Sequence, residues 1–257
     1  MTWEKLDEAM KCDNMLGAIL SLETVEDINK PKKRLHATPL IQAVSKGMTP
    51  LVVRLIDKGA DVNAKDYEDW TPLHFAAHNG DVSMCEMLMK AGAVVDAVSD
   101  NKSTPLHIAA LHGHETVFKS LLDAGSNVEA KTDEGDTALR VASAQGYIEI
   151  CKMLIAVGAR VNEKDNGGWT PLHVVSYTGN VDICQLLILH GADMHATDID
   201  AETPLHLAVE NRHVGVISIL MDAGASVSCT NRKGKTALDI AKSNGDKDII
   251  ILLGGKI

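Results

Sequence analysis

Two histidines stand four residues apart in the stretch DWTPLHFAAHNG, residues 69–80. At that spacing His74 and His78 lie on one face of a helix, which is a spacing that metal sites use. The helix itself is predicted by Thr71 as its N-cap and by Pro72 at its first position. The pair is therefore either a metal site or a part of the frame that holds the fold.

A motif of the form T-(P/A)-L, which contains His74, recurs every 33 residues and bears on this choice. Its threonines are Thr38, Thr71, Thr104, Thr137, Thr170, Thr203 and Thr236. Glycines of the same period are Gly59, Gly92, Gly125, Gly158, Gly191 and Gly224. The slot of His74 also holds His107, His173 and His206, with Ile41, Arg140 and Asp239 elsewhere. A metal or catalytic ligand is not expected four times at one period, so we interpret these histidines as structural.

Each repeat has the signals of two short helices followed by a turn. The first helix begins after the threonine and ends at a glycine such as Gly80, which adopts left-handed backbone angles at little cost. The second helix has an apolar face, as at Met84, Cys85 and Leu88. Two such helices cannot bury a core alone, so the repeats must stack into a solenoid.

This pattern resembles the ankyrin repeat family, whose unit has 33 residues and a T-P-L-H-x-A signature. The matching stretches are TPLHFAA (71–77), TPLHIAA (104–110), TPLHVVS (170–176), TPLHLAV (203–209) and GADVNAKD (59–66). The resemblance implies an all-α solenoid of helix-turn-helix repeats with β-turn or hairpin connections. About eight repeats, two of them caps, would form a single domain. We predict an N-terminal cap at 1–31, six regular repeats at 32–229 and a C-terminal cap at 230–257.

The same resemblance implies roles for particular positions. The motif histidine is a structural group that hydrogen-bonds the backbone near the helix start. Partners of such proteins contact the concave face, the turn tips (the four residues before each motif threonine) and the outer end of the first helix. Two of the regular repeats are irregular. In repeat five, TALRVAS (137–143) has Ala138 for proline and Arg140 for histidine, and in repeat six Val175 stands where the other repeats have alanine.

Composition and charge exclude several classes of function. A net charge of −10 argues against a general nucleic-acid binder, because phosphates are neutralised by Lys and Arg. No apolar run reaches the roughly 18 residues of a membrane span, and charges interrupt the N-terminus where a signal peptide has its apolar core. Five cysteines without a CxxC pair indicate reduced thiols. We therefore expect a cytoplasmic or nuclear location.

Residues capable of chemistry do not combine into a catalytic site. The sequence has no Gly-rich phosphate loop and no nucleophile paired with a base. Cys85, Cys151 and Cys184 share one apolar slot of the second helix, where cysteine packs as a small hydrophobe. We predict no enzyme, no catalytic residue, no metal ligand and no cofactor.

The turn tips are the candidate contacts for a partner protein. Between 67 and 202 the five tips read YEDW, DNKS, DEGD, NGGW and IDAE, with eight acids and one base. The flanking tips at 34–37 and 232–235 are basic or follow lysines. The partner is therefore predicted to have a basic or mixed-charge segment. The alternative is that these acids only favour turns and helix N-termini, by about 0.3–1 kcal/mol each.

Aromatic residues mark two of these tips. Trp70 and Trp169 occupy the same position three repeats apart, with Tyr67 and Tyr177 nearby, and such residues are frequent in binding hot spots. The alternative is that each tryptophan packs on its own turn. The predicted contacts are Tyr67, Glu68, Trp70, His78, Asp100, Asn101, Leu111, His112, Asp133, Asp136, Asn166, Trp169, Tyr177, Asp200, Glu202 and Glu210.

The function predicted from these features is that of a non-enzymatic, monomeric protein-binding module, either a scaffold or a stoichiometric regulator. Three alternatives stay open at this point. The chain could be an effector that an intracellular microbe secretes to act on a host protein. It could be a metal- or nucleotide-dependent enzyme with its site in the irregular repeats five and six. It could also be an artificial repeat binder, although its divergent repeats argue against design.

Overall fold

The computed structural model describes residues 3–12, 14–23, 25, 27–31 and 37–256. Within them it contains sixteen helices in consecutive pairs and no strand. An isolated antiparallel bridge joins Thr230 to Thr236. The all-α prediction is confirmed, and eight helix pairs agree with the predicted number of repeats. The basic tip predicted at 34–37 lies outside the described residues, apart from Ala37.

The chain divides into two compact units, Met1–Asn127 and Val128–Ile257. The helices of the first unit are α1 (Trp3–Lys11), α2 (Met15–Leu22), α3 (Pro39–Ser45), α4 (Thr49–Asp57), α5 (Pro72–Asn79), α6 (Val82–Lys90), α7 (Pro105–His112) and α8 (Glu115–Asp123). Those of the second are α9 (Ala138–Gln145), α10 (Ile148–Ala156), α11 (Pro171–Thr178), α12 (Val181–Leu189), α13 (Pro204–Glu210), α14 (Val214–Asp222), α15 (Ala237–Asn244) and α16 (Lys247–Leu252). The single domain with caps at 1–31 and 230–257 stays a prediction.

Within each unit the first helices of neighbouring repeats pack side by side. In the first unit α3 packs on α1 and α5, and α5 on α7; in the second, α11 packs on α9 and α13, and α13 on α15. Second helices form a parallel row, with α6 against α8 and α12 against α14. Each repeat thus buries its apolar side chains against the next repeat, as a stack of two-helix units requires.

The helix ends follow from residues that the sequence repeats. Thr38 accepts a hydrogen bond from the backbone N–H of Ile41 at 3.3 Å, and Thr137 accepts one from Arg140 at 3.3 Å. Such N-caps satisfy one of the donors left over at a helix start. At the other end of α5, Gly80 has φ +71°, the left-handed conformation in which helices often stop.

The shared cysteine slot is part of the core. Cys85, Cys151 and Cys184 are fully buried on the second helices. Burial raises the pKa of the Cys85 and Cys184 thiols to about 12 and that of Cys151 to about 11. Since the thiolate is the reactive form, these cysteines act as packing groups at neutral pH.

Ser176→Ala is expected to raise the free energy of unfolding by about 1 kcal/mol. Ser176 Oγ is buried and has no hydrogen-bond partner among the described residues. Folding therefore removes this hydroxyl from water without a compensating hydrogen bond, and alanine avoids that cost. Its equivalent one repeat earlier, Ser143, contacts Cys151 Sγ at 3.7 Å and serves as the matched control. Urea unfolding measures both variants. An equal gain from Ser143→Ala would show that the missing partner is not the cause.

Candidate protein-binding surface

An aspartate just before the tip shapes several of the turns. Asp66 Oδ1 accepts hydrogen bonds from the backbone N–H of Glu68 at 3.0 Å and of Trp70 at 2.8 Å. Asp165 does the same for Gly167 and Trp169, at 2.9 and 2.8 Å. These bonds satisfy the backbone inside the turn. The remaining side chains of the tip are therefore available for other contacts.

Neighbouring tips within a unit are joined through their backbones. In the first unit the N–H of Asp100 donates to the carbonyl oxygen of Glu68 at 3.0 Å. In the second unit the N–H of Asn166 donates to Glu134 O at 3.0 Å. Because of these bonds, side chains of adjacent tips lie beside one another and can act on one partner.

The motif histidines tie each helix start to the next tip. His74 Nε2 lies 3.0 Å from the carbonyl oxygen of Ser103, so this nitrogen carries the proton and donates. Its Nδ1 then accepts from the N–H of Thr71 at 3.1 Å. His173 repeats this arrangement with Thr170 at 3.2 Å and Glu202 O at 3.1 Å. The ring must stay neutral to make both bonds.

Burial favours that neutral form. It lowers the pKa of His74 to about 4, against 6.5 for an ordinary histidine. Burial also lowers the pKa of His173. Both rings are fully buried, so neither is placed to bind a partner.

A row of rings runs along the first unit from the tip of the third repeat. The Trp70 ring centroid lies 5.1 Å from that of Phe75, 5.7 Å from that of His74 and 5.9 Å from that of His78. The rings of His78 and His112 follow at 4.4 Å, edge to face. Trp70 thus packs on the helix that follows it, and the structure brings together three of the predicted contacts.

Next to Trp70 lies a groove of about 530 Å³ in the first unit. Its walls include Ala37, Ile41 and Phe75, which the sequence analysis did not identify as contacts. One signal was available: Ile41 occupies the slot in which other repeats have a histidine. An aliphatic side chain there replaces a polar, hydrogen-bonded ring and makes that wall apolar.

The tryptophan at the equivalent position of the second unit has different contacts. Trp169 Nε1 donates to Asp198 Oδ2 at 3.1 Å, and its ring meets Tyr177 at 5.5 Å in an edge arrangement. Tyr177 is exposed. The remaining predicted contacts of the two units lie at the surface: Asn101, Leu111, Asp133, Asn166, Asp200 and Glu210 are exposed, and Glu202 is half-buried.

Most of the tip acids already have partners. Asp69 pairs with Lys65 at 3.2 Å and Asp200 with Arg232 at 3.6 Å. Asp136 forms an ion pair with Arg140, the residue that replaces the motif histidine. Glu202 accepts a hydrogen bond from Asn231 Nδ2 at 3.1 Å. The surface is therefore less acidic toward a partner than the count of acids predicts.

Within the described ranges, no group of three or more His, Cys, Asp or Glu side chains is placed to hold a metal ion. No helix of the described part of the chain is both long and apolar enough to cross a membrane.

A family model described as ankyrin repeats (3 copies) matches residues 11–99, 40–132, 106–198 and 172–256. The chain belongs to the ankyrin repeat family. Among solved structures, this ankyrin repeat chain is similar to the ankyrin repeat domain of Bcl-3, described as a unique member of the IkappaB protein family. The two share 29% sequence identity with a TM-score of 0.75, over 85% of this chain and 99% of that one. A comparison with curated protein sequences found no match.

Proposed function

We propose that this ankyrin repeat protein is a non-enzymatic module that binds another protein, as a scaffold or a stoichiometric regulator. Family membership supports protein binding as its general role. The proposal includes a monomeric chain without a cofactor, acting in the cytosol or the nucleus. All five cysteines are free, which suits a reducing compartment.

The observation that carries this proposal is the surface of the first unit formed by Tyr67, Glu68, Trp70, His78 and Asp100. Tyr67, His78 and Asp100 are exposed, and Glu68 and Trp70 are half-buried. Asp66 and the motif histidines hold the backbone, so the side chains of Tyr67, Glu68, Trp70 and His78 are not needed for the turn. Asp100 accepts one turn N–H, that of Asn101 at 2.7 Å. An aromatic centre with acids around it is the composition of a binding hot spot.

A basic or mixed-charge partner segment fits this surface best. Glu68 and Asp100 lie on adjacent tips, joined through their backbones. Their charges would attract Lys or Arg and speed association at low salt. The contacts predicted in the second unit, from Asp133 to Glu210, stay predictions.

Affinity capture from the source cell, with a matched variant, tests the proposal. The immobilised chain is compared with a triple variant, Tyr67→Ser, Glu68→Lys and Trp70→Ala, at equal load. We expect at least one protein to be retained by the wild type and lost by the variant. Once purified, that protein should bind about tenfold more weakly at about 0.5 M salt than at about 0.05 M, because the charges are screened.

Two results would count against the proposal. Identical proteins on both columns would place the contact elsewhere or show non-specific retention. An affinity insensitive to salt would remove the charge argument. A thermal-shift screen with nucleotides and divalent metals addresses the enzyme alternative, since a specific shift would indicate a small-molecule site.

A further inference from the structure

The two tip tryptophans differ in whether their indole N–H is satisfied. Trp169 donates to Asp198, one repeat further on. The position equivalent to Asp198 in the first unit is Ser99, whose hydroxyl lies 2.6 Å from Asn101 Oδ1 and 3.1 Å from Ser103 O. Among the residues that the structure describes, the indole N–H of Trp70 has no acceptor.

Solvent reaches this unpaired donor. The buried polar atoms that lack a partner are Ser126 Oγ and Ser176 Oγ within the described residues, and Trp70 Nε1 is not one of them. Its hydrogen-bond capacity is thus met by water in the free chain. A partner atom that replaces the water gains a directed bond at a half-buried site, where such bonds discriminate between ligands.

Trp70 also forms one wall of the groove, together with Ala37, Ile41 and Phe75. A volume of about 530 Å³ lies within the range of about 300–1,000 Å³ typical of ligand sites. Ala37 and Ile41 are buried, and Phe75 and Trp70 are half-buried. The apolar walls call for an apolar group, and a bulky side chain of a protein segment meets that need.

The charges around the groove indicate which residue of the partner segment lies next to its apolar side chain. Tyr67 is 61% exposed at the tip end of the groove. The pKa of its hydroxyl is raised by its hydrogen bond to Glu68, then by the charge of Glu68, and also by those of Asp66 and Asp100. The lysines around these acids already have partners. Lys65 pairs with Asp69 at 3.2 Å. Of the two lysines that line the groove, Lys11 pairs with Asp7 at 2.7 Å, and Lys46 also has an interaction partner. A cation is therefore the complementary neighbour, and it can also stack on the ring of Trp70.

We propose that the groove at Trp70 binds a protein segment that places one bulky apolar side chain against Ile41 and Phe75 and an adjacent Lys or Arg against Glu68. A backbone carbonyl oxygen of the segment accepts a hydrogen bond from the indole N–H of Trp70. Trp169 takes no part in this contact, because its indole N–H already donates a hydrogen bond to Asp198. This inference rests on the proposed function and narrows it to one unit.

The difference between the two indoles can be measured in the chain alone. In ¹H–¹⁵N spectra, the indole N–H of Trp169 should exchange with solvent about tenfold more slowly than that of Trp70, because only the first is hydrogen-bonded. Ser99→Asp adds the carboxylate that Asp198 has in the same slot, where one oxygen accepts the indole N–H of Trp169, and should slow the exchange of Trp70. Equal exchange of both indoles in the wild type would overturn the inference.

The binding part is tested with a displayed library of short random peptides, selected on the intact folded chain. We expect enriched peptides with a bulky apolar residue next to Lys or Arg. Trp70→Ala should weaken their binding about thirtyfold, the scale of a hot-spot residue. Trp169→Phe should leave it unchanged.

The other outcomes overturn this inference without touching the proposed function. Peptides that are indifferent to Trp70→Ala, or equally weakened by Trp169→Phe, would place the contact in another part of the surface. An enriched acidic motif, or no enrichment, would contradict the assigned chemistry. Self-association in sedimentation that Trp70→Ala abolishes would make a second copy the occupant. The proposed function itself is judged by the capture experiment.

Discussion

Acidification from pH 6.5 to about 4 is expected to remove about 3 kcal/mol from the free energy of unfolding through His74 alone. The folded chain holds this histidine neutral, with a pKa lowered to about 4 by burial, whereas the unfolded chain binds a proton at about 6.5. Its contribution is therefore complete above pH 6.5 and is lost as the pH falls toward 4. Protonation also removes the lone pair that accepts the N–H of Thr71.

His74→Gln separates this effect from the titration of carboxylates. Glutamine at the third helical position can accept the N-cap N–H in a capping box, and it does not titrate. It loses the bond from Nε2 to Ser103 O, so the variant should be about 2 kcal/mol less stable at neutral pH. Near pH 4 the difference should vanish and reverse by about 1 kcal/mol, because the wild type has lost about 3 kcal/mol that the variant does not lose.

Urea unfolding of both proteins across this pH range, followed by circular dichroism, provides the measurement. A stability difference that stays constant from neutral pH to pH 4 would mean that His74 takes up its proton as readily in the folded chain as in the unfolded chain. His173 offers a comparison in the second unit, since it makes the same two bonds with Thr170 at 3.2 Å and Glu202 O at 3.1 Å, and burial also lowers its pKa. The same loss is expected for any motif histidine whose pKa burial lowers.

Positions that hold the same residue in many repeats could be predicted from the sequence. The period places Thr71 at a helix start and Gly80 at its end, and the structure has both there. The helices follow from these signals because each repeat uses only local capping and the packing of its neighbours. Slot assignments likewise predict that Cys85 is buried, since the residues around it are apolar.

Differences between repeats were harder to interpret because they depend on pairs across neighbouring repeats. Trp70 and Trp169 occupy equivalent positions in the sequence. They differ because the residue that faces each indole from the next repeat is Ser99 for Trp70 and Asp198 for Trp169. The pairing of Asp200 with Arg232 likewise needs the tips to lie side by side. Counting acids overestimated the free charge, since a sequence count does not show which acids are already paired.

Arg140 is the clearest case in which a departure from the motif has its own structural reason. Its guanidinium contacts Asp136 in its own repeat and lies 3.5 Å from Asp165 Oδ2 in the next. The side chains are 18%, 14% and 13% exposed, respectively. The motif histidine joins neighbouring repeats through a neutral bond, and here a charge network makes the link instead.

Arg140→Ala is expected to lower the free energy of unfolding by about 2 kcal/mol. Removing one member of a fully buried pair costs about 3–5 kcal/mol, and the partial exposure of these carboxylates reduces that figure. The loss arises because Asp136 and Asp165 would repel each other without the cation between them. Urea unfolding near neutral pH measures it.

A double-mutant cycle shows whether the pair itself is responsible. Asp136→Ser introduces the residue that the preceding repeat has at this position, Ser103, so the turn should tolerate it. If the ion pair stabilises the fold, the double variant should be about 1–2 kcal/mol more stable than the sum of the single effects predicts. Strictly additive losses would mean that Arg140 acts through the packing of its aliphatic stem. In that case Arg140→Met would be nearly as stable as the wild type. If the charge network is responsible, Arg140→Met should be about as unstable as Arg140→Ala.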